Sequence, residues 1–287
     1  MKRFKKIYFV CSLLLLGFLS SCDQENIGPK YENKEGLTFA NKVLNAETVD
    51  PNNTKFTVDL YRTDGSTPLS GPVTLKAVLP NKTELAGVTV TDYSFAVGET
   101  KTLITVDVNP LPIGVVLDLT LSIPEELASV SGITTTALKV NKAYIWQSLG
   151  QGKYVDNWIS GVEYPVEILK AEGFDRYRAV QPYKETMAKD DGDWGDWIDT
   201  STVPYVEFWT TENSLVSFAS FYTGLNYQAD SKQKIFAHHP SAFANIGVTF
   251  NKWLNSKTVQ LAPYYYIDGL GGWNQTQKND QIIITLP

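Results

Sequence analysis

The sequence is poor in residues that hold metals or carry out thiol chemistry. Its two cysteines are Cys11 and Cys22, and no cysteine follows in residues 23–287. A disulfide framework, a cysteine-ligated metal and a catalytic thiol are therefore excluded beyond the N-terminal segment. Stability must come from burial of apolar surface, and 287 residues are enough for two ordinary cores.

Histidine is equally scarce, since His238 and His239 are the only two. They are adjacent, so in a strand they would face opposite sides and would not readily chelate one metal. The sequence also lacks a G-x-S-x-G elbow and an H-E-x-x-H motif. We therefore expect no enzymatic activity.

An unrecognised glycoside hydrolase is one alternative. Such an enzyme needs two carboxylates about 5 to 10 Å apart. Acids are plentiful in the second half, although spacing in sequence does not give spacing in the fold. The candidates are Asp156, Glu163, Glu167, Glu172, Glu207 and Glu212.

Positive charge is in deficit. The chain has 25 Lys and Arg against 31 Asp and Glu, a net charge of −6, and its first six residues hold four of the cations. Neutralising phosphates requires clustered Lys and Arg. The composition therefore argues against nucleic acid as a partner.

Only one long apolar run is present, IYFVCSLLLLGFLSS, which follows the basic segment MKRFKK. It is too short for a permanent membrane span and is typical of a cleaved export signal. The junction LSSC resembles a bacterial lipobox, which implies that residues 1–21 are removed and that Cys22 carries lipid. Acyl chains would anchor the protein to a membrane without crossing it. Asp23 and Glu25 resemble the export signal of Bacteroidetes-type surface lipoproteins, so we expect an outer-membrane location facing the cell exterior.

Two β domains are predicted after a polar tether at residues 22–36. From 37 to 143 the strands alternate with period two, as in VVLDLTLSIP and TLITVDVN, and turn residues separate them. This pattern predicts an antiparallel sandwich. The stretch VTDYSFAVGETKTLITVDV resembles Calx-beta-like domains through Asp92-Tyr93 and Gly98-Glu99, which implies an Ig-like sandwich. The two pairs are closer together than in that family, so its calcium ligands are not carried over.

The composition changes at Tyr144. All seven tryptophans and eleven of the fifteen tyrosines lie from this residue onward. Residues 144–287 read as a second all-β domain, either a sandwich or a barrel, in which SLGQGKY is predicted to be a turn. The stretches WQSLGQGKYVDNWI and YPVEILKAEGFDRYRAVQPY resemble C-terminal domains of uncharacterised surface lipoproteins from gut Bacteroidetes. That resemblance implies an association with polysaccharide utilisation.

The decapeptide DDGDWGDWID, at 190–199, combines acids with indoles in a long predicted loop, and such loops are often functional. Three interpretations stay open. Its aspartates have the oxygen chemistry of a calcium site, although the EF-hand pattern fails. Its indoles have flat apolar faces suited to sugar rings. Alternatively, the indoles pack back onto the sheet. The residues concerned are Asp191, Asp193, Trp194, Asp196, Trp197 and Asp199.

Other aromatic residues divide between core and surface. We expect Trp158 and Trp253 in the core, together with one of Phe208 and Trp209, because neighbouring strand residues face opposite sides. Trp273 follows the glycine-rich DGLGG and precedes NQTQKND. We therefore place it in a loop that could present its ring to a ligand.

The sequence as a whole predicts a lipid-anchored, two-domain all-β surface protein that binds a glycan without catalysis. Trp194, Trp197 and Trp273 are the predicted glycan-binding residues, and calcium is a possible addition. An adhesin or assembly component that recognises a protein partner is the first alternative. A glycoside hydrolase is the second.

Overall fold

A computed structural model describes residues 36–183, 198–227, 233–242, 248–274 and 281–287. In these ranges the chain is built from β-strands without an α-helix, as predicted. Two compact units meet in sequence between Ala143 and Tyr144. No described helix is long and apolar enough to cross a membrane. The described ranges contain four single 3₁₀ turns, at Glu125–Leu127, Glu212–Ser214, Pro240–Ala242 and Val248–Phe250.

The N-terminal unit has two four-stranded sheets and one two-stranded sheet, ordered β1-β3-β8-β6, β2-β10-β9-β5 and β4-β7. Its strand pairs are antiparallel except for β2 with β10. The strands are β1 (Thr38–Phe39), β2 (Glu47–Val49), β3 (Lys55–Tyr61), β4 (Leu69–Gly71), β5 (Thr74–Val78), β6 (Thr89–Val90), β7 (Tyr93–Phe95), β8 (Lys101–Asp107), β9 (Val116–Ser122) and β10 (Thr135–Lys142).

Alternating apolar residues of both sheets form the core of this unit. Ile104 and Val106 of β8 are buried, and so are Leu117, Leu119 and Leu121 of β9. They belong to one buried cluster. The predicted sandwich is therefore confirmed.

A buried arginine holds the turns beside this core. Arg62 donates from its three guanidinium nitrogens to the backbone carbonyls of Glu99, Thr67 and Ala96, at 2.7, 2.7 and 2.8 Å. The Glu99 carboxylate in turn accepts a hydrogen bond from the Ala96 N–H at 2.7 Å. Gly98-Glu99, part of the Calx-beta-like stretch, thus forms a turn fixed by hydrogen bonds.

The C-terminal unit has an eight-stranded sheet, ordered β15-β14-β13-β12-β11-β22-β19-β18, and a four-stranded sheet, ordered β16-β17-β20-β21. Its strands are β11 (Trp146–Asp156), β12 (Glu163–Ala171), β13 (Arg176–Val180), β14 (Tyr205–Thr210), β15 (Val216–Phe218), β16 (Phe221–Asn226), β17 (Lys234–His238), β18 (Lys252–Trp253), β19 (Thr258–Leu261), β20 (Tyr264–Ile267), β21 (Gly271–Asn274) and β22 (Ile282–Thr285).

The eight-stranded sheet nearly closes on itself. Leu215, just before the edge strand β15, forms a bridge with Lys252 of the other edge strand, β18. The Val216 N–H donates to the Asn251 carbonyl at 2.9 Å beside it. Because closure removes exposed strand edges, this part of the unit is barrel-like, one of the two predicted architectures.

The prediction of a turn at SLGQGKY is wrong. These residues lie inside β11, which pairs with β12 on both sides of a register shift between Ser148 and Gly150. Gly150 adopts a positive φ of 98° there. A Cβ on Gly152 would lie 2.3 Å from the Thr285 carbonyl oxygen of β22. The glycines therefore allow a bulge and a close backbone approach within a strand rather than a chain reversal.

A buried carboxylate joins the two sheets of the C-terminal unit. Asp156, at the end of β11, accepts hydrogen bonds from the N–H groups of Trp158 and Ile159 at 3.0 and 3.1 Å. It also accepts one from the Tyr183 hydroxyl at 2.5 Å and one from the Tyr265 hydroxyl of β20. Because β11 belongs to the eight-stranded sheet and β20 to the four-stranded sheet, this one side chain links both.

The aromatic groups around Asp156 complete the network. The Tyr154 hydroxyl lies 2.7 Å from that of Tyr183. Tyr183 donates its only hydroxyl proton to Asp156, so Tyr154 is the donor in this pair. The Trp158 ring stacks on Tyr265 with centroids 4.3 Å apart. The prediction that Trp158 contributes to the core is therefore confirmed.

Replacing Asp156 should destabilise the C-terminal unit strongly. We expect Asp156→Ala to lower its free energy of unfolding by about 3 kcal/mol or more, because several buried donors lose their acceptor. Asp156→Asn keeps one acceptor oxygen and should cost less. Urea unfolding followed by tryptophan fluorescence measures this unit selectively, because all seven tryptophans lie in it. Equal stability of Asp156→Ala and wild type would contradict the linking role.

The stability of this unit should also depend on pH through Asp156. Burial raises the pKa of its carboxyl group, and the four hydrogen bonds only partly oppose that effect. The folded state therefore holds the proton more tightly than the unfolded chain does. The resulting stabilisation is fully present below the unfolded pKa of about 3.9 and is lost as the pH rises through the raised value.

Comparison with Asp156→Asn isolates this contribution, since the amide does not ionise. We expect the wild-type advantage over Asp156→Asn in free energy of unfolding to shrink as the pH rises from about 4. Urea titrations at several pH values measure it. An advantage that grows with pH would show that the folded state instead stabilises the charged carboxylate.

Candidate functional site

Strand β14 presents two different faces. Val206 and Phe208 point into the core and are buried, whereas Tyr205, Glu207 and Trp209 alternate with them on the outer face. The prediction that one of Phe208 and Trp209 is a core residue is confirmed, with Phe208 inside. Trp253 packs against the same core, as predicted.

Strand β13 places two arginines beside this outer face. Arg178 is paired with Glu207 and Arg176 with Trp209 in the strand register. Glu207 Oε1 accepts from Arg176 Nε at 2.6 Å and lies 2.5 Å from its Nη2, while Oε2 accepts from Arg178 Nε at 2.7 Å. Glu207 is 7% exposed. Both of its oxygens are therefore committed to the two guanidinium groups.

Four aromatic rings contact these guanidinium groups. The Arg178 Cζ atom lies 4.0 Å from the ring centroids of both Trp146 and Tyr205. The Arg176 Cζ atom lies 4.1 Å from the centroid of Trp209 and 4.8 Å from that of Tyr144. Such cation–π contacts restrict the arginines. We refer to Tyr144, Trp146, Arg176, Arg178, Tyr205, Glu207 and Trp209 as the arginine cluster.

A small residue on β12 makes room for the cluster. Ala171 is the register partner of Trp146 and has no exposed surface. Because strand β12 lies between β11 and β13, a large side chain at this point would occupy the space between Trp146 and the arginines. Alanine allows them to meet.

An open cleft of about 470 Å³ adjoins the cluster. Tyr205 and Glu207 of β14 belong both to the cluster and to the cleft lining, and Tyr222 of β16 contributes from the four-stranded sheet. Tyr205 is 39% exposed. The cleft is lined by Thr202, Val203, Pro204, Tyr205, Glu207, Ala219, Ser220, Phe221 and Tyr222.

From Tyr222 an aromatic face continues across the four-stranded sheet. Tyr222 lies 5.5 Å from Phe236, Phe236 lies 6.0 Å from His238, and His238 lies 6.1 Å from Tyr266, between ring centroids. All four rings are half-buried. Burial lowers the pKa of the His238 imidazole, so this ring is neutral at neutral pH. The cleft thus has the arginine cluster on one side and this aromatic face on the other.

The consecutive tyrosines of β20 follow the expected alternation. Tyr265 is fully buried, whereas Tyr264 and Tyr266 are half-buried on the opposite face. Gly272 of the neighbouring strand is needed here, because a Cβ at this position would lie 2.2 Å from Tyr264 Cε1.

The predicted site residues fall partly outside the described structure. Trp194, Trp197, Asp191, Asp193 and Asp196 lie outside the described residues, so their assignment to glycan or calcium binding stays a prediction.

Trp273 lies on strand β21, opposite Tyr265 in the register. The prediction that it sits in a loop is therefore wrong, because residues 271–274 pair with β20 despite their glycines. Its role in glycan binding stays a prediction.

The end of the acidic decapeptide is anchored beside the cleft. Ile198 forms a bridge with Leu225 on the outer edge of β16, and the Asp199 N–H donates to the Gly224 carbonyl at 2.7 Å. Asp199 Oδ1 accepts from the N–H and hydroxyl of Ser201 at 3.0 and 2.5 Å, and Oδ2 accepts from the Tyr222 hydroxyl at 3.2 Å.

These hydrogen bonds determine the charge of Asp199. The bond from the Ser201 hydroxyl lowers the pKa of the Asp199 carboxyl most, and the Tyr222 hydroxyl adds to the effect. Asp199 therefore stays ionised at neutral pH, with both oxygens engaged in holding the segment that leads into the cleft.

Among the described residues, no group of three His, Cys, Asp or Glu side chains could hold a metal ion. The two histidines are separated as expected. The His238 ring contacts Phe236 and Tyr266, whereas the His239 ring contacts Phe218 and its Nδ1 lies 2.7 Å from Ser241 Oγ.

The candidate acids of a hydrolase occupy different environments. Asp156 and Glu207 are buried and have their oxygens engaged by the contacts described above. Glu163 forms an exposed ion pair with Lys153 at 2.8 Å. Glu167, Glu172 and Glu212 are exposed.

The arginine cluster and the cleft were not anticipated from the sequence. A weak signal exists, because the alternation RYR in β13 and YVEFW in β14 places cations, an acid and aromatics at every second position. Which residues meet depends on the pairing of the two strands. That register is not visible in either stretch alone.

Comparisons with known proteins add little. No protein-family model and no curated protein matches the sequence. Among solved structures, the chain is similar to the calcium-binding domain CBD12 of CALX1.1, with 15% identity, 50% of this chain and 76% of that chain covered, and a TM-score of 0.27. It is also similar to the periplasmic chaperone SfaE, with 8% identity, 50% of this chain and 92% of that chain covered, and a TM-score of 0.26. A third similar structure is the class 5 fimbriae chaperone CfaA, with 10% identity, 88% of this chain and 100% of that chain covered, and a TM-score of 0.26. At these TM-scores the similarities carry no argument about function.

Removing the charge of Glu207 should loosen the arginine cluster. We expect Glu207→Gln to lower the free energy of unfolding of the C-terminal unit by about 2 kcal/mol, because two partly buried guanidinium groups lose their shared carboxylate. The matched control is Glu163→Gln, whose exposed pair should contribute less than about 0.5 kcal/mol. Urea unfolding followed by tryptophan fluorescence compares them. Equal losses would show that Glu207 is no more than a surface charge.

Proposed function

We propose that this protein is a lipid-anchored surface protein whose C-terminal unit binds a glycan non-covalently in the cleft between Tyr205 and Tyr222. The lipid is attached at Cys22, and the protein faces outward from an outer membrane. The N-terminal sandwich acts as a spacer between the membrane and the binding unit.

The observation that carries the proposal is the cleft itself. Its volume of about 470 Å³ lies in the range of small-ligand sites, about 300 to 1,000 Å³. Tyrosine side chains at its borders supply apolar ring surface and hydroxyl groups, and the hydroxyl-bearing residues Thr202 and Ser220 belong to its lining. Such a mixture suits a sugar, which has apolar C–H faces and many hydroxyl groups.

Support for a non-catalytic role comes from the carboxylates. Asp156 is enclosed in the core, and Glu207 beside the cleft has both oxygens bound by arginine. A general acid or nucleophile needs a carboxyl group that reaches the substrate. Asp199 beside the cleft likewise has both oxygens hydrogen-bonded, so the carboxylates of the described residues favour binding over hydrolysis.

A protein partner is the second candidate, because the arginine cluster is rich in the residue types that dominate protein interfaces. Trp, Tyr and Arg are enriched among interface hot spots. In the cluster these side chains are already packed against one another. We therefore rank a protein partner below a glycan.

Polysaccharide retention tests the proposal. The chain from residue 23 onward, made without lipid, is passed over immobilised plant, host and microbial polysaccharides with and without calcium. We expect retention on at least one of them, and we expect Tyr205→Ala and Tyr222→Ala each to weaken it by about tenfold, the loss of roughly 1.4 kcal/mol of contact. Tyr61→Ala, in the N-terminal unit, is the control and should leave retention unchanged.

Three further variants locate the site relative to the predicted aromatics. Trp194→Ala, Trp197→Ala and Trp273→Ala show whether these residues contribute to the same binding. Retention that survives both tyrosine substitutions would exclude the cleft as the site. Absence of retention on every polysaccharide, with capture of a defined protein, would favour the second candidate.

A further inference from the structure

Both tyrosines of the cleft carry a cation on their rings, in a chain that has an excess of acid. The Arg178 guanidinium carbon lies 4.0 Å from the ring centroid of Tyr205. The Lys234 Nζ atom lies 4.8 Å from the ring centroid of Tyr222. The net charge of the whole chain is −6. Positive side chains therefore lie at the borders of the cleft, although the chain as a whole is negatively charged.

The carboxylates near these cations are already engaged. Glu207 is shared by Arg176 and Arg178, and Asp199 accepts the hydrogen bonds described above. In the described part of the chain, no carboxylate forms an ion pair with Lys234, and Arg178 donates a hydrogen bond only through Nε. Two guanidinium groups thus share one carboxylate, and the Lys234 ammonium group has no described carboxylate within ion-pair distance.

The aromatic rings around Arg178 fix it in place. Its guanidinium contacts Trp146 and Tyr205, and Glu207 holds Nε. The two Nη groups retain four N–H donors in a planar arrangement. Because the side chain is ordered before a ligand arrives, less conformational entropy is lost on binding. A planar guanidinium with free N–H groups matches the oxygens of a carboxylate or sulfate.

Lys234 contributes a second charge of a different kind. Its ammonium group is a compact point charge on a flexible stem, and such a group adapts to an anion without demanding one geometry. It lies on β17, in the four-stranded sheet, whereas Arg178 lies on β13 of the eight-stranded sheet. Cations are thus supplied from the two sheets whose strands border the cleft.

We propose that the ligand of the cleft is an acidic glycan, whose carboxylate or sulfate group is bound by Arg178 and Lys234. The inference rests on the proposed glycan function and adds the chemical class of the ligand. In this arrangement Tyr205 and Tyr222 also orient the cations, because a cation lies against each ring.

A charge series on one backbone tests this inference. The chain from residue 23 onward, without lipid, is titrated with dextran, carboxymethyl-dextran and dextran sulfate of matched length, and with natural neutral, uronate-bearing and sulfated polysaccharides. We expect acidic polymers to bind at least tenfold more tightly than their neutral counterparts and to weaken as salt is added. Preference between the carboxymethyl and sulfate forms identifies the anionic group.

Cation variants assign the binding to the cleft. We expect Arg178→Ala and Lys234→Ala each to weaken binding of the acidic polymer by about tenfold, in keeping with the loss of one charged hydrogen bond. Arg178→Lys keeps the charge but loses the planar fork, so its effect should be intermediate. Lys153→Ala removes an exposed cation elsewhere in the same unit and should have no effect. A single cooperative urea transition shows that a variant is folded, and Arg178→Ala is itself expected to lower the midpoint because Arg178 bonds Glu207 and contacts Trp146.

The other outcomes contradict either the acidic class of the ligand or glycan binding itself. If Lys153→Ala weakens binding as much as Arg178→Ala, the attraction is general and the inference fails. If neutral polysaccharides bind equally well and Tyr205→Ala abolishes that binding, the proposed function stands but the acidic class is wrong. If no polysaccharide of either kind binds, both fail.

Discussion

The C-terminal unit depends on one buried carboxylate. Asp156 gathers hydrogen bonds from its own turn, from Tyr183 after β13 and from Tyr265 on β20. Taking a carboxylate out of water is costly unless its oxygens are satisfied, so these partners must stay in place together. The requirement couples the barrel-like sheet to the four-stranded sheet, and strands of both sheets border the cleft.

Buried charge organises other parts of the molecule in the same manner. Arg62 in the N-terminal unit holds three turn carbonyls, and Glu207 in the C-terminal unit holds two arginines. In each case one ion fixes several neighbours, because a satisfied polar network in a low-dielectric setting tolerates little displacement. At the outer surface this has a functional consequence, since Arg178 is ordered beside the cleft before any ligand binds.

The proposed function and the inferred ligand class agree with the distribution of charge. The chain is acidic overall, which disfavours non-specific attachment to anionic polymers, whereas beside the cleft two arginines share a single carboxylate. Recognition of an acidic glycan would therefore be confined to the cleft. The lipid anchor and polar tether proposed for residues 22–36 would hold the cleft away from the membrane.

The sequence by itself determined the all-β class and the alternation in β8 and β9. It also determined that only one of the neighbours Phe208 and Trp209 lies in the core. These features are local, because period-two patterning acts within each strand. The turn predicted from Gly150 and Gly152 is wrong, because these glycines allow a bulge in β11 and a close approach of the β22 backbone. Nothing in the sequence distinguishes Asp156 and Glu207 from the other acidic residues. Only the tertiary structure decided that one is enclosed by tyrosines and the other by arginines, because strand register and sheet closure bring distant residues together.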